Sequence, residues 1–173
     1  KWRRQRLDQW THAVADNLAD GERGGFLVWG DPGLFESTLA IVKKLIAAVD
    51  ADGGVPIGLN VIPGISSSLS LASRHQIPLN RQGRALQISP ARLLANGMPE
   101  GVDDVIVMLD GRQTFSLIDP TGIDIYWAAY IGTPDEILIS GDLAEVREEI
   151  RSARADAEKR LGWVFDTYLL RRR

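Results

Sequence analysis

The feature that most restricts the fold of this chain is a pattern that occurs twice: a short apolar run, a break made of glycine and proline, then helical spacing. In the first copy, residues 26–29 ("FLVW") run into Gly30, Asp31, Pro32 and Gly33, after which Leu39, Val42, Leu45, Ile46 and Val49 recur at helical intervals. Steps of three and four place such residues on one face of a helix. In the second copy, "IGLNVI" leads to Pro63 and Gly64, and serines follow that can cap a helix running to about His75. Strand, tight loop and helix in repetition are the grammar of an α/β layer, and continuous apolar runs predict strands buried on both faces.

The pattern is framed by a front helix and a different second half. Leu7, Trp10, Val14 and Leu18 predict an amphipathic helix over residues 2–18. After "QIPLNRQGR" strand candidates come closer together, at residues 86–88, 105–109, 123–128 and 137–139, with a short helix at 91–95. A long charged helix is predicted over 143–161, and "WVFDTYLL" is a closing strand rich in β-favouring residues. This change of texture puts a domain boundary between Leu79 and Arg84, with domains at 1–80 and 81–173.

Composition removes several function classes. The 173 residues are 45% hydrophobic, enough for one ordinary domain or two small ones. A formal net charge of -3 offers no global positive field, so nucleic acid is not an expected partner. The basic ends "KWRRQR" and "RRR" read as solvated chain ends or helix faces. The absence of cysteine removes disulfides, thiolate metal sites and a cysteine nucleophile, and fits a reducing cytoplasm. His12 and His75 lack metal-ligand spacing, so no metal is expected. No apolar run reaches the roughly 20 residues of a membrane helix, and Walker, dinucleotide and nucleophile-elbow motifs are all missing.

Two loops are left as ligand candidates, because open α/β sheets bind ligands beyond the carboxyl ends of their strands. In the first, Gly30 and Gly33 allow close backbone approach while Pro32 stiffens the turn. Asp31 has two readings, a ligand contact or a cap for local amides. Ser66, Ser67 and Ser68 have the same two, contact or helix cap.

Together these segments resemble the tetrapyrrole (corrin/porphyrin) methylase family. "GDPGLFES" is similar to the family's Gly-Asp-Pro loop, and "VIPGISSSLSLASRHQIPLN" to its Pro-Gly-x-Ser-Ser segment and following helix. "VIVMLDG" resembles the later strand ending in methionine, and "AAYIGTPDEILISGDL" the Gly-Thr-Pro-Asp-Glu segment of the smaller domain. The chain departs from the family pattern twice. Phe35 and Glu36 replace a common Tyr-Gly pair, and no opening strand with a Gly-Pro-Gly-Asp loop precedes Lys1, so the chain is expected to lack about the first third of a relative.

The resemblance implies a two-domain α/β fold of open mixed sheets with helices, holding S-adenosylmethionine in the cleft between domains and releasing S-adenosylhomocysteine. Cofactor contacts carried over by motif are Gly30, Asp31, Leu34, Ser66, Ser67, Met108, Ala129, Thr133 and Pro134; Met108 also reads as a core residue. The nearest resemblance within the family is to the member that methylates precorrin-5 at ring carbon 1 and releases acetate. The release step consumes water and would be helped by a general base or hydrogen-bond donor, for which Asp31, Asp110 and Tyr130 are candidates. Arg74, Arg81, Arg84 and Arg112 are candidates for the carboxylates of the macrocycle, or are surface residues. The same resemblance implies a homodimer. It leaves open another methylase of the superfamily, or a binder of cofactor or tetrapyrrole without turnover.

Overall fold

The computed structural model describes residues 2–173; Lys1, first residue of the front basic run, lies outside them. The chain divides into two compact units, Lys1–Ser66 and Ser67–Arg173. The division falls before the boundary expected between Leu79 and Arg84. Its position follows from the helix at Ser67–His75, whose buried Leu71 joins the core of the second unit.

In the first unit, helices α1 (Trp2–Asn17) and α2 (Thr38–Ala51) pack together. α2 buries Ile41, Val42 and Leu45, the stripe that its spacing predicts. α1 buries no residue fully, but Trp10 packs on Phe26 with ring centroids 4.5 Å apart. The guanidinium of Arg6 covers the rings of both Trp2 and Trp10.

The two strands expected here do not form: residues 26–29 and 57–62 are irregular, and the unit contains no strand among its described residues. Leu27 is fully exposed, and Trp29 and Ile62 are largely exposed, so these runs are not buried on two faces. The reason is physical. A strand exists only where a neighbour supplies ladder hydrogen bonds, and neither run has a ladder partner among the described residues.

The second unit is built on one open mixed sheet, comprising β1 (Leu86–Pro90), β2 (Asp104–Met108), β3 (Ile123–Ala129), β4 (Ile137–Asp142) and β5 (Asp166–Arg172). The order across the sheet is β1-β2-β5-β3-β4. β1 and β2 are parallel, whereas β5 runs antiparallel to both β2 and β3 and β4 antiparallel to β3. The last strand of the sequence is thus the middle strand in space, consistent with its run of buried residues from Thr167 to Arg171.

Strand alternation gives this sheet two buried faces. Val105, Val107, Ile125, Trp127, Tyr168 and Leu170 pack under helix α4 (Leu143–Leu161) through Leu143, Ile150 and Ala157. Ile106, Ala128 and Leu169 meet Leu71 of α3 (Ser67–His75) on the other face. α4 starts where the Asp142 carboxylate accepts the amide of Ala144 at 2.8 Å. It stops at Gly162, whose φ of +84° suits glycine.

Because β1, β2 and β3 share one direction, Pro90, Met108 and Ala129 end at the same edge of the sheet. The beginnings of β4 and β5 lie there too, with Ile137 and Asp166 both opposite Ala129.

Candidate functional site

In the first unit, the two glycine loops are fastened to each other. The Asp31 carboxylate accepts the amide of Gly33 at 2.7 Å with one oxygen and that of Gly64 at 3.0 Å with the other. Gly64 lies so close to the first loop that a Cβ there would stand 2.1 Å from the carbonyl oxygen of Gly30. Gly30 has φ +76°, a left-handed conformation that a side chain would disfavour. The amide of Leu34 closes the turn on the carbonyl of Asp31 at 3.2 Å. Phe35 follows with φ +52°, unusual for a bulky residue, and the Glu36 carboxylate accepts the amide of Thr38, the first residue of α2. Gly30, Asp31 and Leu34 therefore share one compact feature with Gly64. Ser66 is buried at the end of this unit, and Ser67 opens α3 in the next.

In the second unit, the candidates Met108, Ala129, Tyr130, Thr133 and Pro134 gather at the carboxyl edge of the sheet. Met108 ends β2 and packs with the cluster containing Leu71 and Ile106, while Ala129 ends β3 fully buried. Each strand leaves the sheet through a left-handed residue that is not glycine: Leu109 at φ +60° and Tyr130 at φ +51°. Such conformations cost energy and persist only where neighbours enforce them.

The enforcing bonds are explicit. Tyr130 donates its amide to the carbonyl of Phe165 at 2.9 Å and its hydroxyl to that of Trp163 at 2.6 Å. Thr133 donates both its amide and its hydroxyl to the carbonyl of Tyr130, leaving Pro134 exposed beside it. Glu136 accepts the amide of Gly132 at 2.8 Å and pairs with Arg74, which donates from Nε at 2.7 Å and also from Nη2. The hydrogen bond from Arg74, first among several causes, holds the Glu136 carboxyl below its ordinary range. Desolvation holds the Tyr130 phenol above its own, so it remains a donor at neutral pH.

Asp110 is buried after Leu109, and its carboxylate is filled: it accepts the amides of Arg112 and Thr114, the Thr114 hydroxyl and, at 2.7 Å, the Tyr168 hydroxyl. The Tyr168 phenol is held well above its ordinary value by burial first and then by the charge of Asp110.

The four candidate arginines are not brought together. Arg81 pairs with Asp104 at 3.3 Å and Arg84 with Asp103 at 2.9 Å, both beside the start of β2. Four strand steps, about 13 Å, separate Asp104 from Met108 at the other edge. Arg74 serves the loop after β3. Arg112 is exposed beside the turn after β2, and its guanidinium has no ion pair among the described residues.

Sequence reading passed over one constellation at the same edge. Arg154, only 6% exposed on α4, donates from Nε to Asp166 Oδ2 at 3.1 Å, and the indole of Trp127 donates to the same oxygen at 3.1 Å. The signal was present: Leu143, Ile150, Arg154 and Ala157 are spaced as one helix face, so a charge stands among buried apolar positions. Burial, foremost, pushes the Asp166 carboxyl up to about 6, against the pull of Arg154.

The sequence pattern of the Tetrapyrrole (Corrin/Porphyrin) Methylases matches residues 3–147, most of the chain. The chain belongs to this family. Among curated relatives, the precorrin-6A synthase (deacetylating) of Sinorhizobium sp is 42% identical over 171 residues, covering 99% of this chain and 64% of that protein. The precorrin-4 C(11)-methyltransferase of Rhodococcus erythropolis is 23% identical over 164 residues, covering 85% and 63%. The chain therefore spans just under two thirds of the length of these curated relatives. A solved structure from Corynebacterium diphtheriae, described as a cobalamin synthesis related protein, superposes with a TM-score of 0.88 at 29% identity, covering 98% of this chain and 70% of that one. Among the described residues, no helix is long and apolar enough to cross a membrane.

Proposed function

We propose that the full-length protein is an S-adenosylmethionine-dependent C-methyltransferase of the cobalamin pathway, a deacetylating precorrin-6A synthase. It methylates precorrin-5 at ring carbon 1 and releases the acetyl group as acetate. The observation carrying this reading is the 42% identity to the relative of that name, sustained over 99% of the chain.

The residues suit the methyl donor. The fastened loops expose backbone at Gly30 and Gly33 beside the partly buried Leu34, and Met108 adds thioether surface in the other unit. Proposed contacts are Gly30, Asp31, Leu34, Ser66 and Ser67 in the loop segments, and Met108, Ala129, Thr133 and Pro134 at the strand ends. When bound, S-adenosylmethionine supplies a sulfonium-activated methyl, whose bonding electrons stay on sulfur as S-adenosylhomocysteine forms. The chain's own work is then to align the reactants and exclude bulk water, which explains the lack of a nucleophilic triad.

Acetate release adds one water to the acetyl carbonyl as the ring–acetyl bond breaks. Of Asp31, Asp110 and Tyr130, we favour Tyr130 as the assisting group: its protonated hydroxyl, which donates to the carbonyl of Trp163, stands on a partly exposed turn and would exchange that bond for one to the substrate, whereas Asp110 is buried under four donors and both Asp31 oxygens hold backbone amides. Arg112 is the favoured carboxylate contact among Arg74, Arg81, Arg84 and Arg112, since the other three already hold Glu136, Asp104 and Asp103. We also propose a cytoplasmic homodimer; a cysteine-free chain suits a reducing compartment, and exposed Leu93 and Leu117 offer apolar surface for pairing.

The test is incubation of the full-length protein with precorrin-5 and methyl-labelled S-adenosylmethionine. One labelled methyl and one acetate per turnover are expected. Methyl transfer without acetate would assign a different methylase of the family, and unchanged precorrin-5 would remove the enzymatic reading in favour of a binding protein.

A further inference from the structure

We propose that Arg154 and Asp166 are positioning residues that jointly fix the two strand-end turns, residues 109–111 and 130–132, which adjoin the proposed methyl-donor contacts Met108, Ala129, Thr133 and Pro134. The inference rests on the function proposed above for what those turns hold, but its structural half stands on the second unit alone.

Both turns begin with a left-handed residue, and both are tied to the same guanidinium. On the β2 side, Arg154 Nη2 donates to the carbonyl of Asp110 at 3.4 Å, next to Leu109. On the β3 side, Arg154 Nε bonds Asp166, which starts β5 opposite Ala129, and the carbonyl of the preceding Phe165 takes the Tyr130 amide. The indole of Trp127, on β3 itself, donates to the Asp166 oxygen that Arg154 holds. One helix residue thus reaches the exits of two strands that are not neighbours, with β5 between them.

A buried ion pair is not a general route to stability, because well-packed apolar residues of similar volume often do as well. This one sits under the carboxyl edge of the sheet, where α/β folds place ligands. It has a further property that an apolar plug would lack, since its carboxylate can change charge. The groups facing Asp166 are Arg154 from α4, Asp110 from the turn after β2, Tyr130 from the turn after β3 and Tyr168 from β5 itself, while Glu158 meets Arg154 from the exposed side at 3.7 Å. Protonation of Asp166 near pH 6 removes the closer of the two carboxylates that hold Arg154, leaving only Glu158 at 3.7 Å, and so loosens the guanidinium that ties both turns.

The experiment has two arms on the full-length protein. The first follows the Trp127 indole proton and the backbone amides of residues 109–111 and 130–132 by nitrogen-15 NMR from pH 5 to 8. A shared midpoint near 6, absent in Asp166→Asn, is expected. Turn amides that stay still while the indole titrates, or that titrate unchanged in Asp166→Asn, overturn the proposal.

The second arm measures S-adenosylhomocysteine affinity by calorimetry. Arg154→Met is expected to bind about tenfold more weakly, with partial rescue in Arg154→Lys, while the exposed Arg151→Met binds like the parent. Affinity of the parent falls as the pH drops through 6, and that of Asp166→Asn does not. A folded Arg154→Met protein with parental affinity refutes the positioning role. If the parent itself fails to bind, the functional reading falls, and the NMR arm still decides whether the pair controls the turns.

Discussion

The Asp31 carboxylate accepts the amide of Gly64 at 3.0 Å, joining two loops that are 33 residues apart in sequence. With its other oxygen on the Gly33 amide, one side chain closes the first loop and fastens it to the second. Gly64 completes the joint by lying against the carbonyl of Gly30, where any Cβ would collide.

Substitution of Gly64 by Ala is therefore expected to destabilise the first unit by about 1–3 kcal/mol, the usual cost of overpacking. Gly58→Ala is the control, since a Cβ there meets nothing within 4 Å. Urea unfolding of both variants checks this; equal stability of the two would mean that the loops are not in backbone contact.

Asp31→Asn separates two roles. Asparagine offers a single acceptor oxygen and turns an NH₂ group toward an amide that needs an acceptor, for a loss of about 1–3 kcal/mol. If Asp31 holds the loops, cofactor KM rises along with the loss of stability. A fall in kcat alone, with KM and melting temperature unchanged, would instead make Asp31 a base in the reaction.

The arginines should divide by their partners. Arg112→Ala is expected to raise KM for precorrin-5 without moving the melting temperature, because its guanidinium has no ion pair among the described residues to lose. Arg84→Ala removes an exposed pair with Asp103 and should change stability by no more than about 1 kcal/mol and leave KM alone. A larger KM effect at Arg84 than at Arg112 would put the macrocycle at the opposite edge of the sheet.

Asp166 gives a pH dependence of definite sign. Its carboxyl is raised from 3.8 to about 6 in the folded protein, chiefly by burial. The folded state then binds this proton more tightly than the unfolded chain does. The stabilising contribution is complete below about pH 3.8 and lost as the pH rises through about 6, on the order of 3 kcal/mol in all. Asp166→Asn should lack this decline, so denaturation series between pH 4 and 7 for the two proteins should converge or cross rather than run parallel. Parallel series would mean that Asp166 titrates normally.

What could be read from the sequence depended on where each signal is stored. α2 was legible because its periodic apolar residues are local, and α4 because its opposite charges lie at helical spacing along the segment. The strands of the second unit were legible as well, since Val105 to Val107 or Ile123 to Trp127 carry β-favouring residues that the sheet buries. The order of those strands was not legible, because no spacing in "DTYLLRR" says that β5 will lie between β2 and β3. Residues 26–29 and 57–62 have strand composition without a strand, since pairing belongs to the neighbours and not to the segment. Gly30, Asp31 and Gly64 could be marked as turn formers, but the bond from Gly64 to Asp31 is a tertiary fact. Arg154 was missed for the same reason: its partners Asp166 and Asp110 come from other elements.

The most direct measurement is a crystal structure of the full-length protein with S-adenosylhomocysteine bound. The account predicts ligand atoms in contact with residues 30–34 and Gly64, with the bond between Asp31 and Gly64 intact. A ligand seated elsewhere, with this joint facing solvent, would contradict it.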